Sequence, residues 1–109
     1  IKTSTIHMAW DMMKDEKIII PKLKAFKEIT GLDRRKTIVY VLCNFNTTLE
    51  EDLYRVNTLR ELDYWPYVML YDKDSIPRGH ILKKLQRWVN NRFIFASCDS
   101  FDDYLRGNL

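Results

Sequence analysis

A chain of 109 residues with 46% hydrophobic and 13% aromatic content has the size and apolar content for one domain with one core, spanning residues 1–109. Eighteen Lys and Arg against fifteen Asp and Glu leave a net charge of +3 with the signs interspersed. That balance excludes a nucleic-acid footprint as a partner surface and describes a solvated exterior. No stretch approaches the roughly 18 apolar residues of a membrane helix and no signal-peptide core opens the chain, so the expectation is a cytoplasmic protein with no membrane partner.

In chain order, Thr5 to Trp10 (TIHMAW) reads as a first strand, closed by Asp11. Ile18, Ile19 and Ile20 precede Pro21, and because proline suits a first helical turn, the regular helix is expected to begin near Pro21 or to kink there. Leu23, Phe26 and Ile29 make its expected buried stripe, Lys22, Lys24, Lys27 and Glu28 its wet face, and Gly31 its left-handed stop. The densest basic run, Arg34, Arg35 and Lys36, falls in the following turn and reads as solvated, with a phosphate contact as the alternative.

Thr37 to Cys43 (TIVYVLC) is an unbroken β-branched and aliphatic run, expected to be a parallel strand too apolar to face water on either side. Asn44 to Thr48 is polar, and Thr48 with Glu51 forms a capping box that opens a helix. Leu49, Leu53, Val56 and Leu59 then recur on one face, with Glu50, Glu51, Arg55 and Arg60 mostly on the wet side and Glu51–Arg55 as an i,i+4 pair. Asp63 to Pro66 breaks that helix, Tyr67 to Tyr71 reads as the third strand, and Asp72 to Gly79 has the composition of a loop. Ile81, Leu82, Leu85, Trp88 and Val89 mark a third amphipathic helix ended by Asn90 and Asn91. Phe93 to Ala96 suggests a short fourth strand, and Ser100 to Leu105 a last helical turn.

Three strands each followed by a helix predict an α/β fold of the parallel (βα)3 kind, a half TIM-type barrel with a short C-terminal extension. In such sheets ligands meet the carboxyl ends of the strands. Those ends hold Trp10 and Asp11, then Asn44, Asn46, Thr47 and Thr48, then Asp72, Lys73 and Asp74. Such groups suit a ribose, an amine or a small polar substrate, with Asp72 the candidate substrate contact; alternatively they cap helices and open turns. No GxSxG, P-loop, GxGxxG or HExxH occurs, and three glycines are too few for a phosphate-cradling loop. Cys43 and Cys98 read as free thiols, and neither His7 nor His80 has ligand spacing to another metal-binding residue, so no metal is expected on this chain alone.

Taken together, HMAWD, IVYVLCNFNTTLEEDLYRVNTLREL, PYVMLYDK, and RWVNNRFIF followed by Cys98 and a terminal FDDY resemble the second half of a radical S-adenosylmethionine (SAM) domain. The resemblance implies the later strands of a (βα)6 partial barrel, in which Trp10 and Asp11 face SAM or substrate and Asn44, Asn46 and Thr47 belong to the loop that closes over SAM. Asn44 stands where the family commonly has glycine. The family's three-cysteine loop for a [4Fe–4S] cluster is absent, so cluster and SAM belong to a presumed longer protein, and this chain is expected to bind no cofactor and to be inactive alone. A start at Ile1 without methionine suits a piece of that protein. The expected partner is the missing N-terminal half, or a second copy forming a dimer through an exposed strand edge. The other reading is a non-catalytic α/β binding or protein-interaction module.

Overall fold

The computed structural model describes residues 5–107. Three parallel strands, β1 (Ile6–Ala9), β2 (Thr37–Cys43) and β3 (Trp65–Leu70), lie in the order β1-β2-β3. Ile6 pairs with Thr37 and Ala9 with Tyr40; Ile38 pairs with Trp65 and Cys43 with Leu70. The chain between them forms α1 (Glu16–Thr30), entered through a 3-10 turn, and α2 (Leu49–Glu61); α3 (Ile81–Asn90), α4 (Arg92–Ser97) and α5 (Phe101–Gly107) follow β3. The fold is thus α/β with an open three-stranded parallel sheet, and the three strands alone do not close into a barrel wall.

Because consecutive strands are neighbours and step in one direction, right-handed crossovers put α1 and α2 on the same face. The strand residues on that face are the core: Trp10, Val39, Val41, Cys43 and Val68 are fully buried, joined by Val56 and Leu59 of α2 and Leu85, Trp88 and Val89 of α3. The opposite face carries His7, Ala9, Tyr40, Leu42, Tyr67 and Met69. Tyr67 is 42% and Met69 48% exposed, while Tyr40 and Leu42 are half-buried. The expectation that β2 is shielded on both sides is therefore corrected for its carboxyl-terminal part: Ile38 and its neighbour Trp65 on this face are buried, but the face opens from Tyr40 and Tyr67 onward.

Local sequence explains most boundaries. Thr48 accepts from the Glu51 N–H at 3.1 Å while the Glu51 carboxylate accepts from the Thr48 N–H at 2.9 Å, completing the expected capping box. Gly31 ends α1 at φ 67°, as expected of a left-handed stop. Pro21 does not start α1; the helix begins at Glu16 and carries the proline inside it. Of the expected stripe, Leu23 is buried and Phe26 half-buried, but Ile29 is 83% exposed. Lys27, expected on the wet face, folds inward and donates to the Leu32 carbonyl at 2.7 Å and to Thr37 Oγ1 at 2.9 Å. Burial holds its ammonium below the ordinary lysine range, opposed by Asp63 and Asp33.

Phe93 to Ala96 is helical and not a fourth strand: Asn91 Oδ1 accepts from the Ile94 N–H at 3.1 Å and caps α4. The physical reason a strand is lost there lies at β3. The Val68 N–H, on the outer edge of β3, donates to Asn90 Oδ1 at 2.7 Å, and Asn90 Nδ2 donates back to the Val68 carbonyl at 3.0 Å. Gln86 Nε2 reaches the same carbonyl at 3.4 Å, and Pro66, also on that edge, has no N–H to offer. One side-chain amide thus stands in for a neighbouring strand. Among the described residues, nothing pairs with the outer edge of β1.

Candidate functional site

The carboxyl ends of the strands are organised by an ion pair on α2. Arg55 is fully buried and donates to the Trp10 carbonyl at 2.8 Å, to the Leu42 carbonyl at 2.8 Å and to Asp52 Oδ1 at 2.6 Å. Asp52, 1% exposed, also accepts from Thr47 Oγ1 at 2.7 Å and from the Asn44 N–H at 3.3 Å. One guanidinium and one carboxylate therefore tie together the end of β1, the end of β2 and the β2–α2 loop. The sequence reading placed Arg55 on the wet face with Glu51; that is corrected, because Glu51 is spent on the cap while Arg55 turns into the sheet edge, where two strand-end carbonyls need a donor. Asp52 carries no such signal in sequence, since three consecutive acids open α2 and only one of them is buried.

Trp10, expected to face a ligand, is a fully buried core residue whose indole N–H donates to the Met12 carbonyl at 3.0 Å, leaving its ring no free surface. Asp11 is exposed beside it. Asn44 and Asn46 have φ of 67° and 55°, the left-handed conformation that glycine and asparagine tolerate best. Asn44 Nδ2 donates to the Tyr71 carbonyl at 3.3 Å, and the Phe45 and Tyr71 rings lie 4.8 Å apart, so the β2–α2 and β3 loops are joined.

Asn46 and Thr47 come together with Met12, Met13, Lys14 and Phe45 around a cleft of about 170 Å³ between the loops that follow β1 and β2. Asp72 lies elsewhere: at φ 53° it accepts from Ser75 Oγ at 2.7 Å and borders a separate groove of about 370 Å³ with Tyr67, Met69, Lys73 and Gln86. The predicted strand-end residues thus divide between two hollows.

A half barrel is expected to leave a concave sheet face open, but the sequence did not single out the polar and aromatic residues of that face. There His7 and the Tyr40 hydroxyl are 2.7 Å apart, and the Tyr40 ring meets Tyr67 edge-on at 5.7 Å. The signal was present as the two-residue alternation of β1 and β3, in which His7, Tyr67 and Met69 fall on one side.

Among the described residues no three His, Cys, Asp or Glu gather as a metal site. Cys43 is buried, and burial pushes its thiol far above the ordinary range, aided by Asp52, so it stays protonated; Cys98, in the turn between α4 and α5, is half-buried. These residues do not fit an iron–sulfur cluster. No described helix is long and apolar enough to cross a membrane. Comparison with protein-family models, with curated proteins and with solved structures finds no match.

Proposed function

We propose that this chain is the carboxyl-terminal part of a radical SAM domain, three βα units of a partial barrel that supply strand-end residues to a site completed by an amino-terminal half. The carrying observation is the asymmetry of the sheet: one face bears the helices and the other is open and aromatic, while among the described residues the outer edge of β3 is closed by Asn90 and that of β1 is unpaired. A strand preceding β1 would pair on the open edge, and the helix-free face with His7, Tyr40 and Tyr67 would then line an interior. In this reading the cluster belongs to the amino-terminal half, as the donor set here requires.

The cleft at Asn46 and Thr47 is smaller than the roughly 300 Å³ at which small-molecule pockets begin, so it holds one part of SAM and leaves the rest to the other half. Asn46, whose side chain is not tied to the Asp52–Arg55 pair, is the residue of this loop assigned to direct contact. Replacing it with glycine keeps the positive φ and removes the amide. In the longer protein, Asn46→Gly is expected to weaken SAM binding by calorimetry about tenfold, the worth of one polar contact of roughly 1.4 kcal/mol. Unchanged affinity would remove this loop from the site.

A second reading, a non-catalytic α/β interaction module, is favoured by one feature: Thr47 and Asn44 spend their polar groups inside the fold, on Asp52 and Tyr71. In that case the strand-end polarity holds loops in place and binds nothing.

A further inference from the structure

At the opposite end of the sheet, Asp33, Arg34, Arg35, Asp63, Trp65 and Arg92 border a cleft of about 550 Å³. We infer that it is an oxyanion site that takes the phosphoryl group of a small phosphorylated ligand between the guanidiniums of Arg34 and Arg92.

The two side chains come from distant parts of the chain, the α1–β2 turn and the start of α4, and converge on one indole. The Arg34 guanidinium lies 5.5 Å and that of Arg92 4.9 Å from the Trp65 ring centroid. Trp65 is only 7% exposed, so the indole is a fixed platform that orients the guanidiniums and not itself the ligand surface. Neither arginine has a carboxylate partner among the described residues, although carboxylates are close by. Asp33 is held by Arg35, with Nη2 at 2.8 Å and Nε at 3.2 Å, and Asp63 is paired with Lys27 at 3.8 Å.

A third guanidinium, Arg60, stands behind them. It lies 4.1 Å from the Phe95 ring centroid and donates to the carbonyls of Phe95, Cys98 and Asp99, again with no carboxylate in contact. Burial holds it below the ordinary arginine range and Arg34 lowers it further, against Asp99. Three like charges gathered around the edge-on rings of Trp65, Phe95 and Trp88 repel one another, and a bound oxyanion relieves that repulsion while using the fork geometry that arginine has and lysine lacks. The volume suits a small molecule, and the site lies across the sheet from the strand-end loops, so it does not depend on the radical SAM reading.

The test is calorimetric titration of inorganic pyrophosphate, at constant ionic strength, into the chain and into Arg34→Gln, Arg92→Gln and Arg92→Lys. The expected result is saturable binding, weakened about tenfold by each Gln variant and also weakened by Arg92→Lys, which keeps the charge but loses the fork. Both arginines are exposed, and an unchanged melting temperature for each variant checks that the fold survives. Citrate binding as tightly as pyrophosphate would replace the phosphoryl assignment with a carboxylate one. No saturable binding, or binding indifferent to all three substitutions, would overturn the site.

Discussion

Arg55→Ala is expected to cost about 3 to 5 kcal/mol, the range for stranding one member of a buried ion pair. Three losses add in this one change. Asp52 keeps its charge in a 1%-exposed position without its cation, and the Trp10 and Leu42 carbonyls lose their donor. A domain of this size has a total stability of about 5 to 15 kcal/mol, so the variant stands near the limit of folding, and its melting temperature falls by more than about 10 °C. Urea denaturation followed by tryptophan fluorescence measures the loss. The paired change Asp52→Leu with Arg55→Met is expected to recover part of it, because no charge is then left unpaired. A loss below about 1 kcal/mol for Arg55→Ala would show that water reaches this pair and that it does not organise the strand ends.

The second large effect concerns association. Ile6 and Trp10 donate inward, to Lys36 and Tyr40, so the alternation of a parallel strand points the His7 and Ala9 amides outward. An isolated chain with that edge and the adjoining aromatic face uncovered is expected to dimerise, by sedimentation, at about 100 μM. Ala9→Pro removes one outward N–H without touching the bonds to β2, since proline is tolerated at an edge. Across a two-fold axis two hydrogen bonds disappear, roughly 2 kcal/mol, and the dimer weakens about 30-fold with little change in melting temperature. A wild-type chain that sediments as a monomer at that concentration contradicts the prediction.

Much of the architecture was legible because it rests on local rules. The β-branched run Thr37–Cys43, the Thr48–Glu51 box, the stop at Gly31 and the apolar stripe of α3, save the exposed Ile81, are each decided by neighbours in sequence, and each forms. What was not legible depends on distant partners. Arg55 sits where a helical wheel predicts water, and only the converging carbonyls of Trp10 and Leu42 draw it inside. Phe93 to Ala96 has the composition of a strand, but the edge it would have joined is already satisfied by the Asn90 amide, and Asn91 caps a helix instead. Pro21 marked a helix start by propensity, yet α1 extends five residues before it, to Glu16.

The candidate site was legible by position and not by role. Topology drew attention to the strand ends, and Asn44 and Asn46 there take the left-handed backbone that asparagine tolerates. It did not reveal that Trp10 is core, that Thr47 serves Asp52, or that Asp72 borders a separate groove. The residues lining the open face were hidden because β2 alone reads as apolar throughout, whereas His7, Tyr40 and Tyr67 become one surface only once three strands are in register.

The central proposal, that this chain is the cluster-free part of a radical SAM domain, is tested most directly on the whole reading frame that encodes it, expressed anaerobically, with iron per chain and SAM cleavage measured on the same preparation. The account predicts about four irons, the content of one [4Fe–4S] centre, and reductive release of 5′-deoxyadenosine. A preparation that holds no iron and leaves SAM intact would contradict it and leave the interaction module as the reading of this fold.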